Sequence, residues 1–149
     1  MKKEITTNNA EETQDLGKAL AKEILEKGFN KTAVVLALQG NLGGGKTTFL
    51  QGFAEELNIK DKILSPTFVI LKRFGIANKI FSDFYHIDCY RIKNEKDLLE
   101  LNFKKIISDP KNIVAIEWSE RIKNKLPKST VIIRFEFVGE NERRIVASF

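Results

Sequence analysis

The sequence predicts an α/β fold, a single domain over residues 1–149 built as a three-layer sandwich around a mixed, partly antiparallel sheet. Three observations predict it. Ala33-Val34-Val35-Leu36-Ala37-Leu38 is a short apolar, β-branched run of the kind that makes a buried strand. A glycine-rich turn follows it, and then Thr47 to Leu57, free of proline, with Phe49, Leu50, Phe53 and Leu57 at helical spacing. Near the end, Thr130 to Val138 alternates, Gly139-Glu140-Asn141 turns, and Arg143 to Phe149 returns as a hairpin. Helices mixed with short buried strands make layers, and hairpins make part of the sheet antiparallel.

The other elements follow in order. A helix is expected from Ala10 to Lys27: Asn9 with Glu12 caps it, Leu16, Leu20 and Ile24 form its apolar stripe, and Gly28 stops it. Thr67 to Phe74 and Lys79 to Tyr90 read as strands around a turn containing Gly75 and Asn78. Asn94 caps a helix from Glu95 to Asn102, and Ile113 to Ile116 is a short apolar strand. The 149 residues, 42% hydrophobic and 30% charged, suffice for one core and not for two. The net charge of +5 favours an anionic ligand or partner but is too small to define a nucleic-acid binder. Cys89 is the only cysteine, so there is no intrachain disulfide and no cysteine-based zinc site is expected. Met1 to Thr7 is basic with no apolar stretch behind it, and no run approaches the length of a membrane span. A cytoplasmic protein without a membrane or DNA partner is expected.

Gly40-Asn41-Leu42-Gly43-Gly44-Gly45-Lys46-Thr47 fits G-x-x-x-x-G-K-[ST], the phosphate-binding P-loop, in its strand–loop–helix context. The glycines let the N–H groups of this loop turn inward onto phosphate, and the N-terminal end of the next helix adds positive potential. Lys46 supplies a mobile cation for the β- and γ-phosphates, and the Thr47 hydroxyl can ligate Mg²⁺. A second metal-side carboxylate is expected at the end of an apolar strand, and Ile113-Val114-Ala115-Ile116-Glu117 supplies one, with a surface carboxylate as the alternative. In Tyr85-His86-Ile87-Asp88-Cys89-Tyr90-Arg91, an extended backbone puts His86, Asp88 and Tyr90 on one face and Ile87 and Cys89 on the other. Asp88 can orient a water or stand behind the metal, or else form a structural ion pair with Arg91; His86 reads best as a hydrogen-bonded structural histidine. Ser65-Pro66-Thr67 can sense a γ-phosphate or be an ordinary loop.

Gly40 to Phe49, Ser65-Pro66-Thr67-Phe68, His86 to Arg91 and Ile116-Glu117-Trp118, in this order and at these distances, closely resemble the TsaE (YjeE) family. The resemblance runs from the N-terminal helix to Glu117; the tail after Leu126 is less diagnostic. It implies a small P-loop ATPase using ATP and Mg²⁺. With the TsaB and TsaD proteins, such an ATPase serves the placing of threonylcarbamoyl on N6 of adenosine 37 in tRNAs reading codons that start with A. tRNA is then met through the complex. The resemblance further implies that Lys46 and the loop from Asn41, Leu42, Gly43, Gly44 and Gly45 into Thr47 and Thr48 hold the triphosphate. Thr47 and Glu117 would hold Mg²⁺, Asp88 would help hydrolysis, Thr67 would lie near the γ-phosphate, Trp118 would flank the site, and Thr13 would lie near the adenine. The departures are mild: Gly44 stands where Ala is frequent, and Ile87 and Cys89 replace commoner Phe and Leu.

The same residues bear on other readings. Asn94-Glu95-Lys96-Asp97 has the letters of a guanine-reading motif in the wrong order, and Asp-x-x-Gly is missing, which argues against a GTPase. A small-molecule phosphotransferase shares the phosphate cradle, but little chain is left for an acceptor-binding lid. A nucleotide-gated binding module with slow hydrolysis stays open. Lys104-Lys105 and Arg121-Ile122-Lys123-Asn124-Lys125 can touch RNA directly or be a solvated charged face.

Overall fold

The computed structural model describes residues 2–28, 30–40, 45–64 and 70–148. In chain order they form β1 (Lys2–Thr7), α1 (Ala10–Lys27), β2 (Val34–Gln39), α2 (Lys46–Glu56), β3 (Leu71–Gly75), β4 (Asp83–Asp88), α3 (Glu95–Glu100), α4 (Phe103–Ser108), β5 (Asn112–Glu117), a 3-10 helix (Ser119–Lys125), β6 (Val131–Phe137) and β7 (Arg143–Ser148).

Helix α1 begins and ends where its capping chemistry dictates. The Asn9 side chain accepts the N–H of Glu12 at 2.8 Å, and the Glu12 carboxylate reaches back to the N–H of Asn8 at 3.2 Å. Gly28, at φ 71°, closes the last turn by donating to the Ile24 carbonyl at 3.0 Å. Asn94 caps α3 in the same way, accepting from Asp97 N.

The seven strands form one mixed sheet in the order β1-β7-β6-β2-β5-β4-β3. Its centre is parallel: β2 lies between β6 and β5, and β4 joins β5 on the far side. The edges are antiparallel, β3 on β4 and β7 on β6, with β1 outermost on β7. Side chains alternate across this sheet. Leu36, Leu38, Phe84, Ile113 and Ala115 face α1 and α2, while Val35, Ile87, Val114 and Ile116 face α3, α4 and the 3-10 helix. A core on each face makes the three layers. The α1–α2 core is rich in phenylalanine: Phe49 meets Phe135 edge-on at 5.4 Å, and Phe53 lies 5.6 Å from Phe84. Truncating a ring this deeply buried costs roughly 3–5 kcal/mol.

Two glycines set how closely α1 approaches the helix that follows the phosphate loop. A Cβ on Gly17 would lie 2.1 Å from the Phe49 carbonyl oxygen, and one on Gly52 would lie 2.0 Å from that of Gln14. The backbones are therefore in direct contact at two points, and no larger residue fits either.

The structure corrects several boundaries. Of the strands expected around a turn at Gly75, the first is seen as Leu71–Gly75, with Gly75 inside it and its part over residues 67–69 outside the described residues, and the second is shorter, Asp83–Asp88. Tyr90 falls past the end of β4 in a turn, so it does not share the strand face of His86 and Asp88. The expected Glu95–Asn102 helix ends at Glu100; Asn102, at φ 56°, turns the chain directly into α4. Helix α4, the 3-10 helix and β1 were not anticipated. Strand β1 has one strongly apolar side chain, Ile5, and is held instead by its ladder with β7 and by Arg144. That guanidinium grips Glu4 through Nε and Nη2, at 2.5 and 3.0 Å, and Glu136 of β6 through Nη1 at 2.7 Å. No described helix is long and apolar enough to cross a membrane.

Candidate active site

The described ends of the phosphate loop show why glycine flanks it. Gly40 sits at φ 137°, and a Cβ there would lie 2.4 Å from the Phe135 carbonyl oxygen. Gly45, at φ 100°, is the left-handed residue that starts α2, and among the described residues no side chain caps that helix. Its first N–H groups lie at the positive end of an eleven-residue helix, where an anion is favoured. Asn41, Leu42, Gly43 and Gly44 lie outside the described residues, as does Thr67. Lys46 is buried; its Nζ donates to the Gly40 carbonyl at 2.7 Å and stands 4.5 Å from the centre of the Trp118 ring. Both partners hold the ammonium across the mouth of the loop. Thr47 and Thr48 are half-buried on the first turn of α2.

The two expected acids come from neighbouring strand ends. Asp88, last in β4, pairs in register with Glu117, last in β5, and Glu117 also pairs with Leu38 of β2, the strand that leads into the loop. The alternation that sends Phe84, Ile113 and Ala115 toward α1 and α2 sends His86, Asp88 and Glu117 to the same face. The backbone ties the strand ends further, Cys89 N donating to Glu117 O at 2.9 Å and Asp88 N to Ile70 O at 2.7 Å.

Glu117 is only 4% exposed, and His86 Nε2 donates to its Oε2 at 2.6 Å. This answers the sequence question for His86: it is a buried, hydrogen-bonded histidine, and its partner is the candidate metal ligand. Asp88 is half-buried and accepts the N–H of Tyr90 at 2.9 Å. Burial raises its carboxyl pKa above the ordinary aspartate value, and the Glu117 charge adds to this against the opposing Tyr90 N–H, His86 and Lys46. Cys89 points to the opposite core, and burial pushes its thiol up to about 12, so it carries no reactive thiolate at neutral pH.

The donor set suits Mg²⁺. Among the described residues no group of three or more His, Cys, Asp or Glu side chains could hold a metal by itself. Mg²⁺ does not need one: it is commonly held by one or two protein oxygens, with water and phosphate completing the octahedron. The His86 bond engages one oxygen of Glu117 and fixes the carboxylate, while Thr47 follows Lys46 on the first turn of α2.

Thr13 and Trp118 reach the same place by different routes. Thr13, buried on α1, bonds the Thr7 hydroxyl at 2.7 Å, and its Cγ2 would lie 3.6 Å from a Cβ on Gly45. Trp118 adopts φ 57°, turning the chain out of β5 and setting its ring beside Lys46 and 5.2 Å from Tyr90. Sequence reasoning missed Phe135 and Arg143, which border the loop at Gly40 and Gly45. The Arg143 guanidinium donates to the Gly139 and Glu142 carbonyls and lies 4.7 Å from the Phe137 ring. Both come from the terminal hairpin, whose place beside β2 depends on a parallel pairing between residues about a hundred positions apart.

Comparison with known proteins bears on the chain as a whole. The family model described as "Threonylcarbamoyl adenosine biosynthesis protein TsaE" matches residues 7–145. The "tRNA threonylcarbamoyladenosine biosynthesis protein TsaE" of Bacillus subtilis is 39% identical over 139 residues, covering 93% of this chain and 80% of that one. Proteins of the same name are 34% identical in Rickettsia felis (91% of this chain, 74% of that one) and 30% identical in Treponema pallidum (95% and 97%). The crystal structure of Bacillus subtilis YdiB superposes with a TM-score of 0.72 at 32% identity, over 99% of this chain and 84% of that one. With this site, this sheet and these matches, the chain belongs to the TsaE family of tRNA threonylcarbamoyladenosine biosynthesis.

Proposed function

We propose that this protein is a Mg²⁺-dependent ATPase that acts in the cytoplasm with TsaB and TsaD partners to form threonylcarbamoyl on N6 of adenosine 37 in tRNAs reading codons that start with A. The observation that carries the reading is the meeting of Lys46, Asp88 and Glu117 at the carboxyl ends of adjacent strands β2, β4 and β5. Ligands of α/β sheets bind at such strand ends.

Lys46 exchanges its hold on the Gly40 carbonyl for the β- and γ-phosphates, and the amides of the loop and of Thr47 and Thr48 close around them. Thr47 and Glu117 hold Mg²⁺, which, when bound, draws negative charge off the phosphates. Asp88 orients a water for in-line attack on the γ-phosphorus; the bond to the ADP oxygen breaks, and phosphate and a proton are released. On the same reading Thr67 would act near the γ-phosphate, Trp118 would flank the site, and Thr13 would lie near the adenine. Positioning and charge stabilisation do most of the catalysis, and turnover by this chain alone is slow, since its sequence offers no assigned arginine finger.

The test is reconstitution of tRNA threonylcarbamoylation from TsaD, TsaB, the activated threonylcarbamoyl donor and tRNA, with and without this protein and ATP. Multiple-turnover product that requires this chain with intact Lys46 is expected. Product formation indifferent to its addition would refute the assignment.

A further inference from the structure

The sequence left the basic stretches Lys104-Lys105 and Arg121 to Lys125 without a role, and the fold brings them together. Helices α3 and α4 and the 3-10 helix enclose a groove of about 770 Å³ on the face of the sheet opposite α1 and α2. Its floor is apolar, from Leu98, Phe103 and Ile107. Leu99 stands at its edge with 72% of its surface exposed, on a helix where such a leucine has no core to fill. Lys104, Lys105 and Lys125 line the groove, and among the described residues no carboxylate does. A second cavity of about 230 Å³ continues it past Leu98 and Lys125, adding Lys93, Arg121 and Lys123 against one carboxylate, Glu120.

The position of the groove matters as much as its lining. Helix α3 follows the turn that leaves Asp88, and the 3-10 helix follows Glu117 and Trp118 directly, so both walls are continuations of the strands that end in the candidate acids. Arg121 lies 5.5 Å from the Tyr90 ring, Tyr90 packs on Trp118, and Trp118 carries Lys46.

We propose that this groove is the docking site for an acidic segment of a protein partner that inserts apolar side chains beside Leu99. This rests on the reading that the chain works in a complex with TsaD and TsaB. Charge complementarity selects an acidic occupant: a rim with an excess of lysine and arginine among its described residues repels basic surfaces and steers acidic ones. The apolar floor selects protein over RNA. Phe103 is buried and the other floor residues are aliphatic, so among the described residues the groove presents no aromatic face on which bases could stack, whereas an apolar centre with a charged rim is the anatomy of a protein interface.

The test measures three affinities of the full chain: for ATP, for the purified TsaD–TsaB pair, and for an anticodon stem-loop RNA. The variants are K104E/K105E, L99D and, on the opposite face, K22E/K27E. All changed residues are exposed, and unchanged ATP affinity reports an intact fold. K104E/K105E and L99D are expected to weaken binding to the pair tenfold or more, with K22E/K27E within twofold of wild type. Wild-type binding to the pair is expected to fall as salt rises. Wild-type-like binding of the pair by both groove variants overturns the groove while leaving the partner reading intact. Failure of the wild-type chain to bind the pair overturns the partner reading and the groove with it. Loss of stem-loop RNA binding with the pair still bound makes this an RNA surface and also overturns the proposal.

Discussion

His86 Nε2 and Glu117 Oε2 are 2.6 Å apart, and the two side chains are 4% and 5% exposed. A buried carboxylate needs a donor, and His86 is the only histidine in the chain. Removing it in His86→Ala leaves Glu117 without that partner, at a cost of about 1–3 kcal/mol in stability. It also frees the carboxylate to turn away from the metal. The Mg²⁺ concentration needed for ATP binding should therefore rise at least tenfold, as when other residues that orient metal ligands are removed. His86→Gln, which keeps a donor, should recover part of both. Urea unfolding and Mg²⁺ titration of ATP binding measure the two effects; an unchanged Mg²⁺ requirement in His86→Ala would remove Glu117 from the metal.

Lys46 is parked between the Gly40 carbonyl and the Trp118 ring, and it must leave both to reach a phosphate. Trp118 is the only tryptophan, so intrinsic fluorescence reports on this ring alone. MgATP should change its emission in the wild type. Lys46→Ala should keep the fold, lose at least a hundredfold in ATP affinity, and show no emission change at ATP concentrations that saturate the wild type. Retained affinity would show that Lys46 does not hold the phosphates.

The contact of α1 with α2 at Gly17 and Gly52 makes a stability prediction that leaves the catalytic side chains untouched. A methyl at either position meets a backbone carbonyl near 2 Å, and backbone cannot step aside as a flexible side chain does. Gly17→Ala and Gly52→Ala should each destabilise by about 2–4 kcal/mol, although alanine is the better helix former. Chemical unfolding at neutral pH checks this. If both variants are as stable as wild type, the helices are not in backbone contact.

What was legible in the sequence is what local chemistry decides. Asn9, Glu12 and Gly28 mark both ends of α1, and the run from Val34 to Leu38 with Lys46 behind it places the phosphate loop between β2 and α2. Glu117 could be found because its strand is apolar on both faces and ends in an acid. Strand β1 was not legible because its pairing energy comes from β7, some 140 residues away, and its side chains are mostly polar. Helix α4 was hidden by its six-residue length and by the left-handed turn at Asn102. The partnership of His86 with Glu117 depends on β4 lying beside β5, a neighbour relation that no local pattern encodes.

Asp88 gives a pH prediction whose sign follows from its surroundings. Its carboxyl is raised above the aspartate value of 3.8, first by burial and then by Glu117. The folded state therefore binds its proton more tightly than the unfolded state. The stability Asp88 contributes is complete below the unfolded value and is lost as the pH rises through the higher folded value. At neutral pH the ionised side chain is thus a burden on the nucleotide-free protein. Asp88→Asn keeps the acceptor for the Tyr90 N–H and removes the charge. It should raise the thermal midpoint at pH 7 by about 1–3 °C, and the gain should shrink as the pH falls toward 3.8. The same variant should bind ATP near normally while hydrolysing it at least tenfold more slowly, because the group that orients the water is neutral. Calorimetry between pH 4 and pH 7 with a phosphate-release assay checks both halves. A midpoint that falls at pH 7, together with loss of ATP binding, would make Asp88 a structural residue and return the orienting role to another group.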